Sequence, residues 1–595
     1  MVTVDYSKDS TITKFGRYTL EDRYMLPGET SPQDVFARAS LAFADDQEHA
    51  QRMYNYISNQ WFMPATPVLS NAGTDRGLPI SCFLNEASDS ISGIVNLWVE
   101  NVYLAKNGGG IGSYWGNLRS IGESVGQAGK TSGIIPFMKV MDSLTQAISQ
   151  GSLRRGSAAV YLPINHPEIE EFIKIRKPTG GDIDRKCLNL HNAVVISDSF
   201  MNAVEKGLEW NLVSPQSGQT IKTVSARDLW ASLLETRIST GEPYMLFSDR
   251  LLEATPGHHK RLGLVPKMSN LCTEITLPTG PDHLGKDRTA VCCLGSVNLF
   301  YFKEWSEDEK FIEDIMRFLD NVLTFFINNA PTKMHRAKYS AERERSVGLG
   351  AMGFHSFLQK NGIPFESVMA KSWNVKMFKF IKELADRASV KLANERGSCL
   401  DAKEVGTDER FSYKLAIAPN ASISIITGEV SPGIEPLAAN TFSRKTLSGT
   451  SSYRNPELAI VLQKYSMDTE ETWRAIASKG GSVQHIDQLS QLEKDVFKTA
   501  FEMDQRWIID HAADRQKFIC QAQSVNIFVE PNIPKKHMHY LHYSAWKKGL
   551  KSLYYCRSKA IHRAESVFDG GNISVDSSTE EMLDSWDKLE CLACQ

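Results

Sequence analysis

Between Pro266 and Pro278 the chain reads Asn270-Leu271-Cys272-Thr273-Glu274, with an amide, a thiol and a carboxylate at alternate positions. In an extended segment, alternate side chains point to one face, so these three groups could converge on one small molecule. A thiol can act as a nucleophile, a redox partner or, after one-electron oxidation, a hydrogen-atom abstractor, while the carboxylate moves a proton. The alternative is a buried cysteine at the end of a strand. On this stretch alone both interpretations stay open.

Composition and charge narrow the class of protein. The chain has 595 residues, of which 42% are hydrophobic and 23% charged, as is typical of a soluble globular protein with a large core. Proteins that bind duplex nucleic acid usually carry an excess of basic residues, whereas this chain has a net charge of −3. We therefore expect no nucleic-acid partner. The N-terminus has no apolar signal core, and no run reaches the length of a membrane span, which predicts a cytosolic location. There the ten cysteines are expected to be thiols.

The pattern of apolar residues predicts an α/β fold. Residues 1–60 have helical spacing, and further helices are predicted over 89–105, 135–148 and 311–327. Short apolar runs that predict strands alternate with such helices, at 158–162, 189–196, 243–247, 290–299, 415–418, 524–529 and 553–555. This alternation predicts an α/β sheet or barrel with the substrate at the strand ends.

Two glycine-containing stretches imitate nucleotide-binding motifs. Gly108-Gly109-Gly110-Ile111-Gly112 follows a predicted helix rather than a strand and lacks the third glycine of the dinucleotide fingerprint. Gly129-Lys130-Thr131 closes a phosphate-loop pattern, but Ser124 stands where the first glycine is required. We therefore reject both motifs.

Small hydroxyls and a basic loop are better candidates for phosphate contacts. Thr66 and Ser81 lie in irregular segments where they could hold a phosphate, although isolated residues of this kind are more often turn caps. Arg154 and Arg155 lie among glycines and serines in the loop 149–157. Arginine suits phosphates and bases, and a solvated charged turn is the alternative.

The composition changes from Glu565 onward, where the sequence contains eight acidic residues and a single basic residue, Lys588. Such a segment is expected to be disordered. It ends in a Cys-x-x-Cys pair, Cys591 and Cys594, which suits reversible disulfide chemistry. Half of a zinc site is the alternative, but it would need a second ligand pair, and this stretch of sequence contains none.

Further thiols and two adjacent phenols complete a set suited to radical reduction. With them, the sequence resembles the large, catalytic subunit of aerobic class I ribonucleotide reductase over roughly residues 60–595. The resemblance rests on motifs in the family's order: Asn270-x-Cys272-x-Glu274, Pro419-Asn420-Ala421-Ser422, Gly433-Ile434-Glu435-Pro436, Tyr554-Tyr555 and the cysteine-bearing tail.

The resemblance implies an α/β fold in the form of a ten-stranded α/β barrel built from two five-stranded halves, with Cys272 on a central finger loop. It divides the chain into a short N-terminal helical region (1–60), the barrel (61–564) and a flexible redox-active tail (565–595). The specificity-site helices and loops would lie at about 89–157.

The resemblance also implies roles at the reaction centre. Cys272 would carry the transient thiyl radical that removes the 3′ hydrogen of the substrate ribose. Glu274 would act as the base on the 3′ hydroxyl, and Asn270 would hydrogen-bond the substrate. Cys82 and Cys292 match the dithiol that supplies two electrons and ends as a disulfide.

Radical supply and re-reduction would depend on partners. Tyr554 and Tyr555 match the relay that receives the radical from a small ferritin-like subunit, whose metallo-cofactor generates it. The chain itself would bind no cofactor tightly. Cys591 and Cys594 would reduce the active-site disulfide by exchange and would be reduced by thioredoxin or glutaredoxin.

Two nucleotide sites are implied. The substrate's phosphates would lie at a helix start, with contacts from Thr66, Ser81, Pro419, Asn420, Ala421 and Ser422. A deoxynucleoside triphosphate or ATP would bind as effector at the interface of an effector-promoted homodimer. The matching residues are Asp89, Asn117, Arg119, Gln150, Arg154 and Arg155.

Many large subunits of this family begin with a helical cone whose bound ATP or dATP switches overall activity. Here the motif around Thr66 arrives within the first seventy residues, which leaves no room for the cone. We therefore expect equilibrium binding of dATP to find one class of effector site per chain. A second dATP site that stops all four reductions would contradict this expectation.

Three alternatives were weighed. A cobalamin-dependent class II reductase shares the radical cysteine and tail dithiol, but Tyr554-Tyr555 favours a radical that arrives from another subunit. A glycyl-radical enzyme needs a C-terminal glycine loop, which Asp569-Gly570-Gly571-Asn572 does not resemble. A nucleotide-sensing regulatory protein on the same scaffold should lack at least one of the three active-site cysteines.

Overall fold

The computed structural model describes residues 2–150, 154–446 and 449–558. Cys591 and Cys594 lie outside the described residues. Within these ranges no helix combines the length and the apolar character that crossing a membrane requires.

Helices form the N-terminal region, as the sequence predicts. Their bounds are Lys14–Arg23, Pro32–Ala42, Gln47–Ser58 and Thr66–Asn71. Ser31 and Asp34 form a capping box that fixes the start of the second helix.

Ten extended segments pair side by side in two parallel sets, which together we call the ring. The first set is Tyr244–Phe247, His191–Ile196, Ala158–Pro163, Gly110–Tyr114 and Cys82–Glu86. The second is Ala290–Asn298, Val347–Met352 and the stretches 415–417, 523–529 and 552–558. The sets meet in antiparallel pairs, Cys82 opposite Cys292 and Met245 opposite Leu553.

Long helices surround this ring at the predicted places, with bounds Ile91–Lys106, Ile135–Ala147 and Phe311–Asn329. The other helices of eight or more residues are Asp198–Lys206, Ala226–Thr240, His335–Glu344, Val368–Arg396, Pro456–Lys464, Glu470–Ser478, Gln505–Gln516 and Lys535–Lys547. Because helices cover the ring outside, its strands are apolar on both faces, and all of Ala290–Asn298 is buried.

Short elements complete the described chain. Phe62–Pro64 pairs with Ala290–Asn298. Hairpins join Ser149–Gln150 to Arg154–Arg155, Glu209–Val213 to Thr220–Ser225, Gly280–Pro281 to Asp287–Arg288, and Thr441–Thr446 to Gly449–Arg454. The shorter helices are Ile169–Phe172, Ser248–Ala254, Gly257–Arg261, Phe302–Trp305, Phe354–Lys360, Leu400–Glu404, Ala421–Ile426 and Gln491–Val496.

Three predicted strands are shorter than expected. The stretch 415–418 contributes only isolated bridges, and the strand expected over 524–529 is Ile527–Val529. Tyr554 and Tyr555 do not lie on a strand, because Ser552–Leu553 ends before them and Cys556–Ser558 begins after them. Here partners distant in sequence set the pairing, which apolar content alone does not predict.

A buried ion cluster stabilises the ring from outside. The Asp401 carboxylate accepts hydrogen bonds from Arg288 (2.7 and 2.9 Å), Arg343 (2.7 Å) and His259 (3.1 Å). Burial alone would raise the pKa of Asp401, but the bonds from His259 and Arg288 hold it well below its usual value. The carboxylate is therefore ionised wherever the protein is folded near neutral pH.

We expect Asp401→Ala to lower the free energy of unfolding by about 3–5 kcal/mol, because it leaves buried cations without a counter-charge. Denaturant titration measures the loss. The pKa of Asp401 is lower in the folded than in the unfolded state. The difference in unfolding free energy between wild type and variant is therefore complete above pH 3.8, the ordinary pKa, and declines as the pH falls below it. Asp287→Ala is the matched control, because Asp287 pairs with Arg336 at the surface. It should lower the free energy of unfolding by under about 1 kcal/mol. Equal losses at both positions would contradict this account.

Candidate active site

The stretch 270–274 forms a tight turn in the barrel, and the predicted extended conformation is wrong. Thr273 has a left-handed backbone with a φ of 68°, which a threonine adopts at a cost of roughly 1–3 kcal/mol. The turn brings the two ends together, and Asn270 Nδ2 donates to Glu274 Oε1 at 2.9 Å. The amide and the carboxylate therefore do converge, through a turn and not through a strand.

Hydrogen bonds from the surrounding wall fix this turn. The Tyr161 hydroxyl donates to the carbonyl oxygen of Asn270 at 2.5 Å. Ser524 Oγ contacts the carbonyl oxygen of Cys272 at 2.5 Å and Glu274 Oε2 at 3.2 Å. The loop is thus held from two different segments of the ring. Sequence reasoning missed Tyr161 and Ser524, since no local pattern links them to the turn.

Gly112 allows a strand to approach the turn. A Cβ at this position would lie 2.1 Å from the carbonyl oxygen of Ser269 and 2.9 Å from the Cα of Asn270. We expect Gly112→Ala to cost about 1–3 kcal/mol of stability and to lower turnover, because the turn must shift. Unfolding and steady-state assays measure the two effects. Gly257→Ala is the control, because its Cβ would meet no atom within 4 Å. Normal turnover in Gly112→Ala would contradict the close approach.

Cys82 and Cys292 lie directly opposite each other where the two strand sets meet. Directly opposed residues of an antiparallel pair have Cα separations of about 4.5–5.5 Å, which suits a disulfide. Both side chains are buried, and Asn270 Nδ2 contacts Cys82 Sγ at 3.1 Å. Burial raises the pKa of Cys292 well above its usual value, and neighbouring Cys82 adds to this effect. Cys82, Cys272 and Cys292 share one buried apolar cluster, whereas Cys293 belongs to a different one.

A cavity of about 540 Å³ lies above the turn. Most of the predicted reaction and substrate residues line it: Thr66, Ser81, Cys82, Cys272, Glu274, Pro419 and Asn420. The Ser81 hydroxyl is buried and has no hydrogen-bond partner among the described residues. Gly110, Gly295 and Ser296 also line this cavity and were missed by sequence reasoning.

Two predicted substrate residues lie elsewhere. Ala421 lines a neighbouring larger cavity, and Ser422 is absent from the described lining of the cavity above the turn. Both belong to the short helix Ala421–Ile426, and Asn420 precedes it in a left-handed conformation, with a φ of 59°. Asn420 is fixed by a bond to the Ala351 carbonyl at 3.0 Å. The start of this helix therefore lies between the two cavities, and Pro419 lines both.

Three phenols form a cluster beside the turn. Ring centroids are 4.3 Å apart for Tyr554–Tyr555, 4.7 Å for Tyr244–Tyr554 and 5.0 Å for Tyr244–Tyr555. Tyr554 and Ser524 line the same larger cavity, and Ser524 contacts the turn. Tyr554 thus shares a cavity with the serine that binds the Cys272 carbonyl oxygen. Tyr244, 310 positions before Tyr554, was missed by sequence reasoning.

The predicted effector residues fall into two groups. Asp89 and Arg119 form an ion pair at 2.8 Å, and Asn117 Nδ2 donates to the Ala87 carbonyl at 3.0 Å. Gln150, Arg154 and Arg155 lie in the two-residue strands of one hairpin, and their side chains lie outside the described part. Asp89, Asn117 and Arg119 thus come together at the start of the helix Ile91–Lys106.

Comparisons with known proteins show which family the chain resembles. The ribonucleotide reductase barrel-domain model matches residues 80–405 and 400–556, and the all-alpha-domain model matches 11–77. The chain is similar to the ribonucleoside-diphosphate reductase large subunit of Invertebrate iridescent virus 3, with 39% identity over 95% of this chain and 97% of that one. The zebrafish (Danio rerio) large subunit is 31% identical over 93% of this chain and 76% of its own length.

A solved structure leads to the same family. The Actinobacillus ureae class Id ribonucleotide reductase alpha subunit superimposes with a TM-score of 0.82 and 34% identity, covering 94% of this chain and 98% of that one. Since both domain models and full-length relatives match, this chain belongs to the family of ribonucleotide reductase large subunits.

Proposed function

We propose that this chain is the catalytic subunit of a class I enzyme that reduces ribonucleoside diphosphates to 2′-deoxyribonucleotides for DNA synthesis. The observation that carries the proposal is one cavity lined by Cys272, Glu274 and Cys82, with Cys292 directly opposite Cys82. Reduction of a diphosphate by the purified chain with a radical-generating subunit tests it.

The first step is the activation of the ribose. Cys272, as a thiyl radical, removes the 3′ hydrogen and becomes a thiol again. Glu274 takes the proton of the 3′ hydroxyl. Asn270, which is bonded to Glu274 at 2.9 Å, holds the carboxylate and offers its amide to the substrate.

The second step is the loss of the 2′ hydroxyl as water. Cys82 and Cys292 supply two electrons and two protons, so that one ribonucleotide and one dithiol give one deoxyribonucleotide, one disulfide and one water. The raised pKa of Cys292 supports this role, because a buried thiol keeps the proton that the leaving hydroxyl needs. At the end of the cycle Cys272 returns the 3′ hydrogen.

Re-reduction is assigned to the terminal pair Cys591 and Cys594, with thioredoxin or glutaredoxin as the external reductant. We expect the double variant Cys591→Ser, Cys594→Ser to complete about one reduction per chain from the preloaded dithiol. Product per chain, measured by rapid quench, tests this. A small dithiol should restore multiple turnover. Normal multiple turnover with thioredoxin alone would show that these cysteines are not the relay.

The radical would come from a small ferritin-like subunit with a metallo-cofactor, so this chain needs no tightly bound cofactor. Tyr555, beside the partly exposed His191, would receive it. Tyr554, which lines one cavity with Ser524, would pass it to Cys272. Centroid distances of 4.3–5.0 Å support transfer within the cluster.

Phosphate binding is assigned to Pro419–Ser422 with Thr66 and Ser81. Backbone amides at the start of Ala421–Ile426 would face anionic oxygens, and the unpaired Ser81 hydroxyl supports a polar ligand in the cavity. The effector, a deoxynucleoside triphosphate or ATP, is assigned to Asp89, Asn117, Arg119 and the hairpin with Gln150, Arg154 and Arg155, at the interface of an effector-promoted homodimer.

The architecture assigned to this function is a ten-stranded barrel over 61–564 with a finger loop, preceded by the helical region 1–60 and followed by the tail 565–595. The ring of two five-membered parallel sets supports the barrel, and the turn at Cys272 supports the finger loop.

A further inference from the structure

Three groups converge on one nitrogen at the side of the phenol cluster. His191 Nδ1 lies 2.6 Å from Glu242 Oε1, 3.0 Å from the Tyr244 hydroxyl and 3.4 Å from the Tyr555 hydroxyl. His191 belongs to a barrel strand, and Tyr244 belongs to the next. The placement of this imidazole is thus set by the ring and not by a loop.

The ionisation state of Glu242 decides whether Nδ1 of His191 carries a hydrogen. Glu242 is 1% exposed, and burial alone would raise its pKa, but Arg176 and His191 lower the pKa below its ordinary value. Arg176 Nε lies 3.3 Å from Oε2, and the Asn192 amide donates to the same oxygen at 3.1 Å. Glu242 is therefore a carboxylate, which can only accept. Nδ1 must carry the hydrogen and donate it to Glu242.

This tautomer constrains the phenols. A protonated Nδ1 has no lone pair, so it cannot accept a phenol proton from Tyr244 or Tyr555. Their own O–H bonds are therefore directed away from Nδ1. The three phenol rings lie close enough to one another, with centroids within 5.0 Å, for these hydroxyls to act within the cluster.

Orientation matters because transfer between phenols moves an electron and a proton together. The balanced step is Tyr555–O• plus Tyr554–OH giving Tyr555–OH plus Tyr554–O•, with no other oxidant or base. It is fastest when each oxygen and O–H bond already has the required direction.

We propose that His191, oriented by Glu242 and Arg176, is a positioning residue that directs the hydroxyls of Tyr555 and Tyr244 for radical transfer to Tyr554. This inference rests on the proposed radical route and adds residues to it that take no part in the chemistry. The buried carboxylate fixes the tautomer, and the protonated Nδ1 then excludes the phenol hydrogens from its side.

The test compares two substitutions of His191 in the full chain with its radical-generating subunit. His191→Leu removes the donor, whereas His191→Asn places an amide N–H near the position of Nδ1. A 3-aminotyrosine at 555 or at 554 traps the radical, which electron paramagnetic resonance quantifies. We expect His191→Leu to retain trapping at 555 but to lose roughly 10- to 100-fold in the rate of trapping at 554. His191→Asn should recover most of that loss.

His283→Leu is the matched control, because His283 Nε2 pairs with Glu404 at 2.8 Å far along the chain from the phenols. It should leave both trapping rates unchanged. Equal trapping at 554 in His191→Leu and wild type would overturn the positioning role, even if turnover fell. So would a His191→Asn variant no better than His191→Leu. Absence of any radical at 555 in the wild-type chain would instead overturn the proposed radical route, and this inference with it.

Discussion

Cys272→Ser is expected to abolish nucleotide reduction while substrate binding remains largely intact. A serine hydroxyl has nearly the shape of the thiol, so the turn held by Tyr161 and Ser524 should persist. Oxygen, however, does not form a radical at the potential that is available to sulfur, so the 3′ hydrogen cannot be removed. Product formation with the radical-generating subunit and equilibrium binding of the diphosphate measure the two properties.

Cys399→Ser is the matched control for this experiment. Cys399 is another buried cysteine, and its Sγ lies 3.5 Å from Ser412 Oγ, so a hydroxyl there keeps a polar partner. It should retain turnover. Appreciable reduction by Cys272→Ser would contradict the assignment of the radical site.

Tyr555→Phe and Tyr554→Phe are each expected to reduce partner-supported activity to the background of the assay. Phenylalanine keeps the ring packing of the cluster, in which Tyr554 and Tyr555 are buried, but it cannot be oxidised in the same range of potential. Substrate binding should therefore be unchanged. Tyr339→Phe, which removes only a hydroxyl bonded to Asp282 at 2.8 Å, is the control and should keep its turnover. Unchanged rates in either relay variant would favour a radical made within this chain.

Much of the architecture could be predicted because it depends on local periodicity. The helices Ile91–Lys106 and Phe311–Asn329 and the strand Ala290–Asn298 lie within about two residues of their predicted bounds. Their apolar residues recur at spacings that a single sequence shows. The short pairings around 415 and 524 depend on neighbours far away in the chain and were overestimated.

The convergence of side chains at the candidate site was predicted for a partly wrong reason. The convergence of Asn270 and Glu274 was expected from an extended chain, whereas the left-handed Thr273 produces it. Threonine rarely adopts this conformation, so its residue type gave no signal. The opposition of Cys82 and Cys292 comes from strand register and entered the sequence analysis only through the family resemblance.

The surroundings of the phenols could not be predicted from local sequence. Tyr244, His191 and Glu242 meet Tyr555 through neighbouring strands of the ring, and no short motif joins them. A buried ionised group such as Glu242 becomes meaningful only when its partners are known.

The most direct test of the central claim is an assay of diphosphate reduction by the purified chain, with and without a radical-generating small subunit and with and without adenosylcobalamin. We predict deoxyribonucleotide only when the small subunit is present, with adenosylcobalamin making no difference. Reduction supported by adenosylcobalamin alone, without the small subunit, would contradict the account.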